Sequence, residues 1–397
     1  MPAFVERIVR IVWIVWIVWI GHRRILPPEP DTVQPMKALS IHAGPKALRA
    51  LREHGLRPQD VGIIPAAAGG PKGLVLNPID RFIFADWLAG SSHTVHLLGA
   101  SIGAWRMATA CLADPEREFV QMADDYVTQH YEHAPGKAPL PAHVSEVFGA
   151  KLRERFGGRE AEVLAHPRYR LHVFTSRGLH LLRREGRVRT PLGYFGAFVA
   201  NSMSRGAMGG WLERVVFSDP RETLPLILHG YRTHRVPLGA DNLCESLLAS
   251  CSIPFLLSAV HDIARAPRGA YWDGGITDYH LHLDYGARRD APPRPGLVLY
   301  PHFQHTVVPG WLDKVLKHRH RATSHLDEVV LLSPTPEWVK SLPNGKLPDR
   351  SDFKTYVDDA PARIAIWSRV VRESERLRDE FAEWLRRGSA EGVEPLC

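Results

Sequence analysis

The stretch Thr94-Val95-His96-Leu97-Leu98-Gly99-Ala100-Ser101-Ile102-Gly103 (TVHLLGASIG) decides how this chain reads. Its first five residues form a short apolar run that predicts a buried strand, and the spacing from Ile102 to about residue 112 predicts a helix. Between the two stands Gly99-Ala100-Ser101-Ile102-Gly103, a GxSxG. At an average glycine usage of about 7%, chance produces such a match on the order of 0.1 times per chain of this length. Placement is therefore what carries weight. A serine on a tight strand-to-helix turn holds its hydroxyl clear of the sheet. Small residues two before and two after it let the strained turn close. The helix that follows points its positive end at any negative charge formed during attack. The plain alternative is a glycine-rich turn with an incidental serine.

Upstream, residues 61–67 (VGIIPAA) form another short apolar run that ends before Gly69-Gly70, and a helical pattern occupies 73–88. Strand, helix and strand within about 40 residues make a βαβ unit, which requires a parallel sheet. The predicted fold class is α/β, with a central, mostly parallel sheet flanked by helices. Further strands are predicted at 169–175, beside Arg235, and at 270–272, 296–300 and 328–332. Helices are predicted at 45–55, 116–129 and 144–155, with one long helix over 361–387. That helix places Ile366, Val370, Leu377, Phe381 and Trp384 near one face, suited to docking on the core. No linker divides the body, so residues 36–397 are expected to form a single domain, helical over about 336–397.

The second chemical signal is Gly69-Gly70-Pro71-Lys72-Gly73. Acyl transfer needs backbone N–H donors aimed at a developing oxyanion, and glycines at a helix start supply them. Lys72 adds a cation able to favour an oxyanion or a phosphate. A phosphate-binding GxxxxGK[ST] is absent because Leu74 follows Gly73, and no GxGxxG is present. The third signal is Asp273-Gly274-Gly275, in which Asp273 is the only aspartate followed directly by glycine. Alone, it reads as a surface turn.

Taken together and in this order, GGPKG, GASIG and DGG resemble the patatin-like phospholipases. Ala249-Ser250-Cys251-Ser252-Ile253-Pro254-Phe255 adds a fourth match, about twenty residues before Asp273. The resemblance spans roughly residues 60–280. It implies a three-layer α/β fold and lipid acyl-ester hydrolysis by a Ser–Asp dyad without a cofactor. By motif, Ser101 would be the nucleophile, Asp273 the base, and Gly69, Gly70 and Gly73 the oxyanion loop. Lys72, Gly99, Gly103, Gly274 and Gly275 would support them. Two departures stand out. Ala66-Ala67-Ala68 precede the loop where an acidic residue or a further glycine is usual, and Thr277-Asp278-Tyr279 follow where Asn-Pro is usual.

Other readings stay open at this stage. His280, His282, His302 and His305 follow Asp273, so chain order also permits a Ser-Asp-His esterase. A non-catalytic lipid- or partner-binding protein on the same scaffold is the alternative from another class. His280, His282 and Asp284 alternate as if on one strand face, and such a trio can bind a metal, but an exposed polar face is the plainer reading and no metal is expected. The basic run Lys314 to Arg321 reads as a solvated helix face or as a contact for lipid headgroups. Trp87, Trp105, Tyr194, Phe195 and Phe198 are candidates for an apolar entrance.

Composition sets the outer bounds. The 397 residues are 45% hydrophobic and 23% charged, ordinary for a chain that buries a core. The formal net charge of +7 suits an anionic partner such as a phospholipid surface, so peripheral membrane contact is expected alongside an acyl-ester substrate. Acidic residues are interspersed with the basic ones and no recognition motif appears, which argues against nucleic acid. Four scattered cysteines without a CxxC pair predict free thiols in a reducing, cytoplasmic setting. Ile11 to Ile20 reads IVWIVWIVWI without a charge. As a helix it would span about 15 Å, half of a bilayer core of about 30 Å. An interfacial anchor, an uncleaved signal and a leader outside the working protein, with Met36 as start, are the three readings. Residues 1–35 are accordingly set apart as an N-terminal extension ending in the Pro27, Pro28 and Pro30 linker. Oligomeric state is not legible in the sequence.

Overall fold

A computed structural model describes residues 36–134, 137–286 and 296–396. The Ile11 to Ile20 run and its proline linker lie outside them. The chain forms a mixed α/β structure around one 11-stranded sheet. In chain order the strands are β1 (Leu39–Ala43), β2 (Val61–Ala66), β3 (Val95–Ala100), β4 (Tyr169–Gly178), β5 (Leu212–Ser218), β6 (Thr233–Pro237), β7 (Val260–His261), β8 (Ala270–Asp273), β9 (Leu297–Pro301), β10 (Val329–Pro334) and β11 (Val393–Pro395). Across the sheet they run β11-β1-β10-β9-β2-β3-β4-β5-β6, with β8 also paired to β4 and β7 to β8. The consecutive pairs β10–β9, β9–β2, β2–β3 and β3–β4 are all parallel.

The central strands are apolar because helices cover them. Every residue of β2 and β3 is buried, as expected for parallel strands shielded on both faces. Helix Ile102–Ala110 packs on β2, β3 and β4, while Leu243–Cys251 packs on β4 and β8. The strands predicted at 61–67, 94–98, 169–175, beside Arg235, and at 270–272, 296–300 and 328–332 all form, within a few residues of the expected ends.

Register brings the motifs together. Ala66 pairs with Gly99, so the chain leaves β2 and β3 for GGPKG and GASIG at the same sheet edge. Ala100 pairs with Phe174 on β4, and the next β4 residue, Thr175, pairs with Asp273 of antiparallel β8. Ser101 and Asp273, 172 residues apart, are thereby delivered to one point. Edges of this kind, beyond the carboxyl ends of parallel strands, are where open α/β sheets bind ligands.

Three expectations are corrected and one strand is added. The helix over 73–88 is a 3-10 turn (Gly70–Leu76), a short α-helix (Asn77–Arg81) and a π-helical turn (Phe82–Trp87), with Pro78 starting the α segment. The terminal helix breaks at Ser374 into Ala360–Glu373 and Glu375–Arg387, where the Ser374 hydroxyl donates back to the Val370 carbonyl. The alternation His280, His282, Asp284 is not a strand. Strand β5 forms where no strand is predicted from the sequence, and its Glu213 and Arg214 are both buried. Glu213 is paired with Arg177, and Arg214 with Asp278. Among the described residues no helix is long and apolar enough to cross a membrane.

Candidate active site

Ser101 is the single residue between β3 and helix Ile102–Ala110, and its backbone sits at φ +57° and ψ −130°. A non-glycine residue there carries strain of about 1–3 kcal/mol. The surroundings enforce it. A Cβ on Gly103 would fall 1.9 Å from the Ala66 carbonyl oxygen, and one on Gly99 would fall 2.3 Å from the Ala104 Cα. The glycines of GASIG are thus demanded by close packing of the turn against β2 and the helix. The Ser101 N–H donates to the Ser250 hydroxyl at 2.9 Å, and that hydroxyl donates to the Phe174 carbonyl at 2.7 Å.

The Ser101 hydroxyl donates to Asp273 Oδ2 at 2.6 Å, in the range of charge-assisted O–H···O⁻ bonds. The other carboxylate oxygen accepts the Gly275 N–H at 2.7 Å. The Asp273 and Gly274 amides donate to the Ser252 and Ser250 carbonyls. A Cβ on Gly274 would lie 2.0 Å from the Phe174 carbonyl oxygen, so this turn needs glycine. Burial pushes the Asp273 carboxyl above its usual range, while the Arg350 guanidinium, the Ser101 hydroxyl and the Gly275 amide pull it down. Cys251 lies beside the pair, and burial holds its thiol neutral, far above the usual value. Cys111, Cys244 and Cys251 are all free.

The glycine loop reaches the same place. The Ala68 N–H donates to the Tyr279 carbonyl at 2.9 Å, tying the start of the loop to the segment after Asp273. Gly70 takes φ +57°. Gly69 and Gly70 open the 3-10 turn, whose first amides have no partner within it. Gly73 lies deeper, against the Ile102 side chain. Lys72 does not extend into solvent. Its ammonium lies 5.4 Å from the Phe303 ring centre, and burial lowers its pKa, with Arg350 and Lys346 adding to the effect and Asp349 opposing it.

The departures from the family pattern find structural uses. A Cβ on Gly275 would meet Ala68 Cβ at 2.6 Å, so the Ala66-Ala67-Ala68 run and the second glycine of DGG are matched in size. Asp278 makes a buried two-pronged pair with Arg214 at 2.7 and 2.6 Å. Thr277 exchanges hydrogen bonds with Ser176, and Tyr279 forms part of the site wall.

Three residues at the site were not identified by motif. Arg350, from the segment after β10, lies with Asp273, Tyr279 and Trp311 around a cavity of about 10 Å³. Its Nε would stand 3.3 Å from a Cβ on Gly70. Lys346, bonded to Asp349 at 2.9 Å and to Asp352 at 2.7 Å, anchors the turn that carries it. Lys314 belongs to the basic run but does not act as part of a solvated helix. The residue as a whole is exposed, yet its ammonium lies over the Tyr279 ring at 4.0 Å, where burial lowers its pKa, with the Arg350 and Lys72 cations adding to the effect and Asp273 opposing it. No local pattern marks these positions, because each reaches the site through a loop of irregular geometry.

The histidines of the triad alternative have other partners. His280 Nδ1 accepts the Val308 N–H, His302 Nδ1 accepts the Gln304 N–H, His282 bonds Thr323, and His305 lies tilted against His42 with ring centres 5.7 Å apart. Among the described residues no group of three or more His, Cys, Asp or Glu is placed to hold a metal ion. Of the proposed apolar entrance, Trp105 is core, packed against Tyr126 and Phe148, and Trp87 packs on Phe381. Tyr194 is buried against Trp272 and Phe255. Phe195 is exposed and Phe198 half-buried.

No protein-family model matches the chain, and no curated protein sequence matches it. Among solved structures it is similar to human GIVD cytosolic phospholipase A2, with a TM-score of 0.39 and 12% identity. That match covers 87% of this chain and 63% of the other, so this chain spans less than two thirds of that protein's length. It is also similar to VipD from Legionella pneumophila, with a TM-score of 0.35 and 12% identity over 91% of this chain and 72% of the other.

Proposed function

We propose that this chain is a serine-dependent acyl-ester hydrolase acting on lipids. The observation that carries the reading is the 2.6 Å hydrogen bond from the Ser101 hydroxyl, on its strained strand-to-helix turn, to buried Asp273. A serine hydroxyl is a weak nucleophile until a positioned base takes its proton. Asp273 is that base. As Ser101 Oγ attacks the ester carbonyl, its proton passes to Asp273 Oδ2, and the carbonyl oxygen becomes an anion. The Gly69 and Gly70 amides, with the N-terminal end of helix Ile102–Ala110, stabilise that anion. The C–O bond to the alcohol then breaks, and the alcohol leaves with the proton from Asp273. Water attacks the acyl-enzyme, giving its proton to Asp273, and Ser101 recovers it as the fatty acid departs.

An ordinary carboxylate is a feeble base, with a pKa of about 3.9. The upward push from burial improves its proton match, and the Arg350 cation opposes that rise. We take residues 36–397 as a single working domain, since β1 and β11, near its two ends, pair in the one sheet. The test is labelling of the full chain with a fluorophosphonate probe, followed by turnover of p-nitrophenyl esters and phospholipid. Ser101 is expected to label, and Ser101→Ala and Asp273→Asn to lose turnover with their folds intact. A chain that neither labels at Ser101 nor hydrolyses any ester overturns the reading.

A further inference from the structure

Helix Arg189–Met203 has two apolar faces where a surface helix needs one. Tyr194, Ala197 and Asn201 are buried. On the opposite side Val188, Leu192, Phe195, Val199 and Met203 are exposed, Met203 to 79%. These are five of the nine exposed large apolar side chains among the described residues, and their spacing of 4, 3, 4 and 4 is that of one helical stripe. Contiguous patches of this kind mark interaction surfaces.

The helix is fixed to the body rather than loosely attached. Cβ atoms on Gly193 and Gly196 would fall 2.6 Å from Leu182 and 2.4 Å from Trp211. The inner face touches the candidate active site, because Tyr194 packs on Trp272 next to Asp273. Asn201 donates to Asp313 at 2.9 Å, and Lys314 follows Asp313.

The charge around the stripe is one-sided. The helix contains no acidic residue. Just before it stand the exposed Arg183, Arg184 and Arg187, with Glu185 the one acid among them. At its far end Arg319 donates to the Asn201 carbonyl, which brings up the exposed Lys317, His318 and Arg321. An apolar stripe flanked at both ends by cations, on a helix of about 22 Å, is the pattern of a helix lying in the plane of an anionic bilayer surface.

We infer that the outer face of helix Arg189–Met203, with Arg183, Arg184, Arg187, Lys317 and Arg321 around it, docks the protein on anionic lipid bilayers. Under the hydrolase reading, this seats the Ser101 site beside its substrate. The experiment is sedimentation of the full chain with vesicles of phosphatidylcholine alone or mixed with phosphatidylserine. The unmodified chain is expected to bind the mixed vesicles better, and less so as salt rises. The triple variant Leu192→Glu, Val199→Glu, Met203→Glu is expected to bind at least about tenfold more weakly, and Lys317→Glu with Arg321→Glu about fivefold more weakly per charge reversed. Turnover of a soluble p-nitrophenyl ester should stay unchanged in both, which separates this surface from the chemistry at Ser101. Unchanged vesicle binding in both variants overturns the inference, as does light scattering that shows the stripe to be covered by a second copy of the chain.

Discussion

The Ser250 hydroxyl accepts the Ser101 N–H at 2.9 Å and donates its own hydrogen bond to the Phe174 carbonyl, so one side chain fastens the serine turn to β4. Ser250→Ala leaves a buried N–H and a buried carbonyl with one partner fewer each. The expected cost is about 1–3 kcal/mol in urea unfolding. Turnover should fall through kcat with little change in KM, since no substrate contact is lost.

Gly103 is a sharper test of the turn. Gly103→Ala puts a methyl group 1.9 Å from the Ala66 carbonyl oxygen, and backbone must move. We expect a loss of about 1–3 kcal/mol or more, together with loss of labelling by a fluorophosphonate probe. Gly90→Ala, where a Cβ meets nothing within 4 Å, is the control and should change neither.

The pH profile follows from Asp273. In the proposed mechanism it must be ionised to accept the Ser101 proton, so turnover should rise with pH through a carboxyl pKa above the usual range. Arg350 holds that pKa down, so Arg350→Gln should move the acid limb of the kcat/KM profile to higher pH. A limb that stays in place would show that Arg350 does not act on Asp273 electrostatically.

The same shift predicts an effect on stability. A carboxyl whose pKa is raised on folding favours the native state while protonated, and that benefit fades as pH climbs from about 3.9 through the raised folded value. Above that folded value the ionised Asp273 therefore costs stability. Asp273→Asn, which keeps an oxygen for the Gly275 N–H, should melt higher than the parent at neutral pH, the gap closing in acid. Equal melting temperatures at both pH values would contradict the upward shift.

Behind the glycine loop, Asp80 and Arg106 form a buried two-pronged pair at 2.7 and 2.8 Å. Asp80→Asn leaves the guanidinium buried beside a neutral group. It is expected to cost about 3–5 kcal/mol. Asp80→Leu with Arg106→Met should recover much of that loss in the same denaturation assay.

Much of this was legible in local sequence because local physics governs it. TVHLLGASIG announces a strand, a turn and a helix by the change in apolar spacing, and those elements form as Val95–Ala100 and Ile102–Ala110. Strand β5 was not legible, because Glu213 and Arg214 are tolerable in a buried strand only when Arg177 and Asp278 arrive from elsewhere. The basic run at 314–321 divides for the same reason, while its Lys317, His318 and Arg321 stay exposed as expected. Its Lys314 ammonium lies over the Tyr279 ring, and its Arg319 pairs with Asp313.

From sequence alone come the residue types the site needs and the order in which a parallel sheet would present them, because strand and turn propensities act over a few neighbours. Tertiary structure alone decides that Ser101 meets Asp273 across 172 residues, and that Arg350 and Lys314 stand beside them. It also decides that one helix keeps an apolar face toward solvent. Contacts between distant segments depend on strand register and loop closure, and neither is written in the spacing of neighbouring side chains.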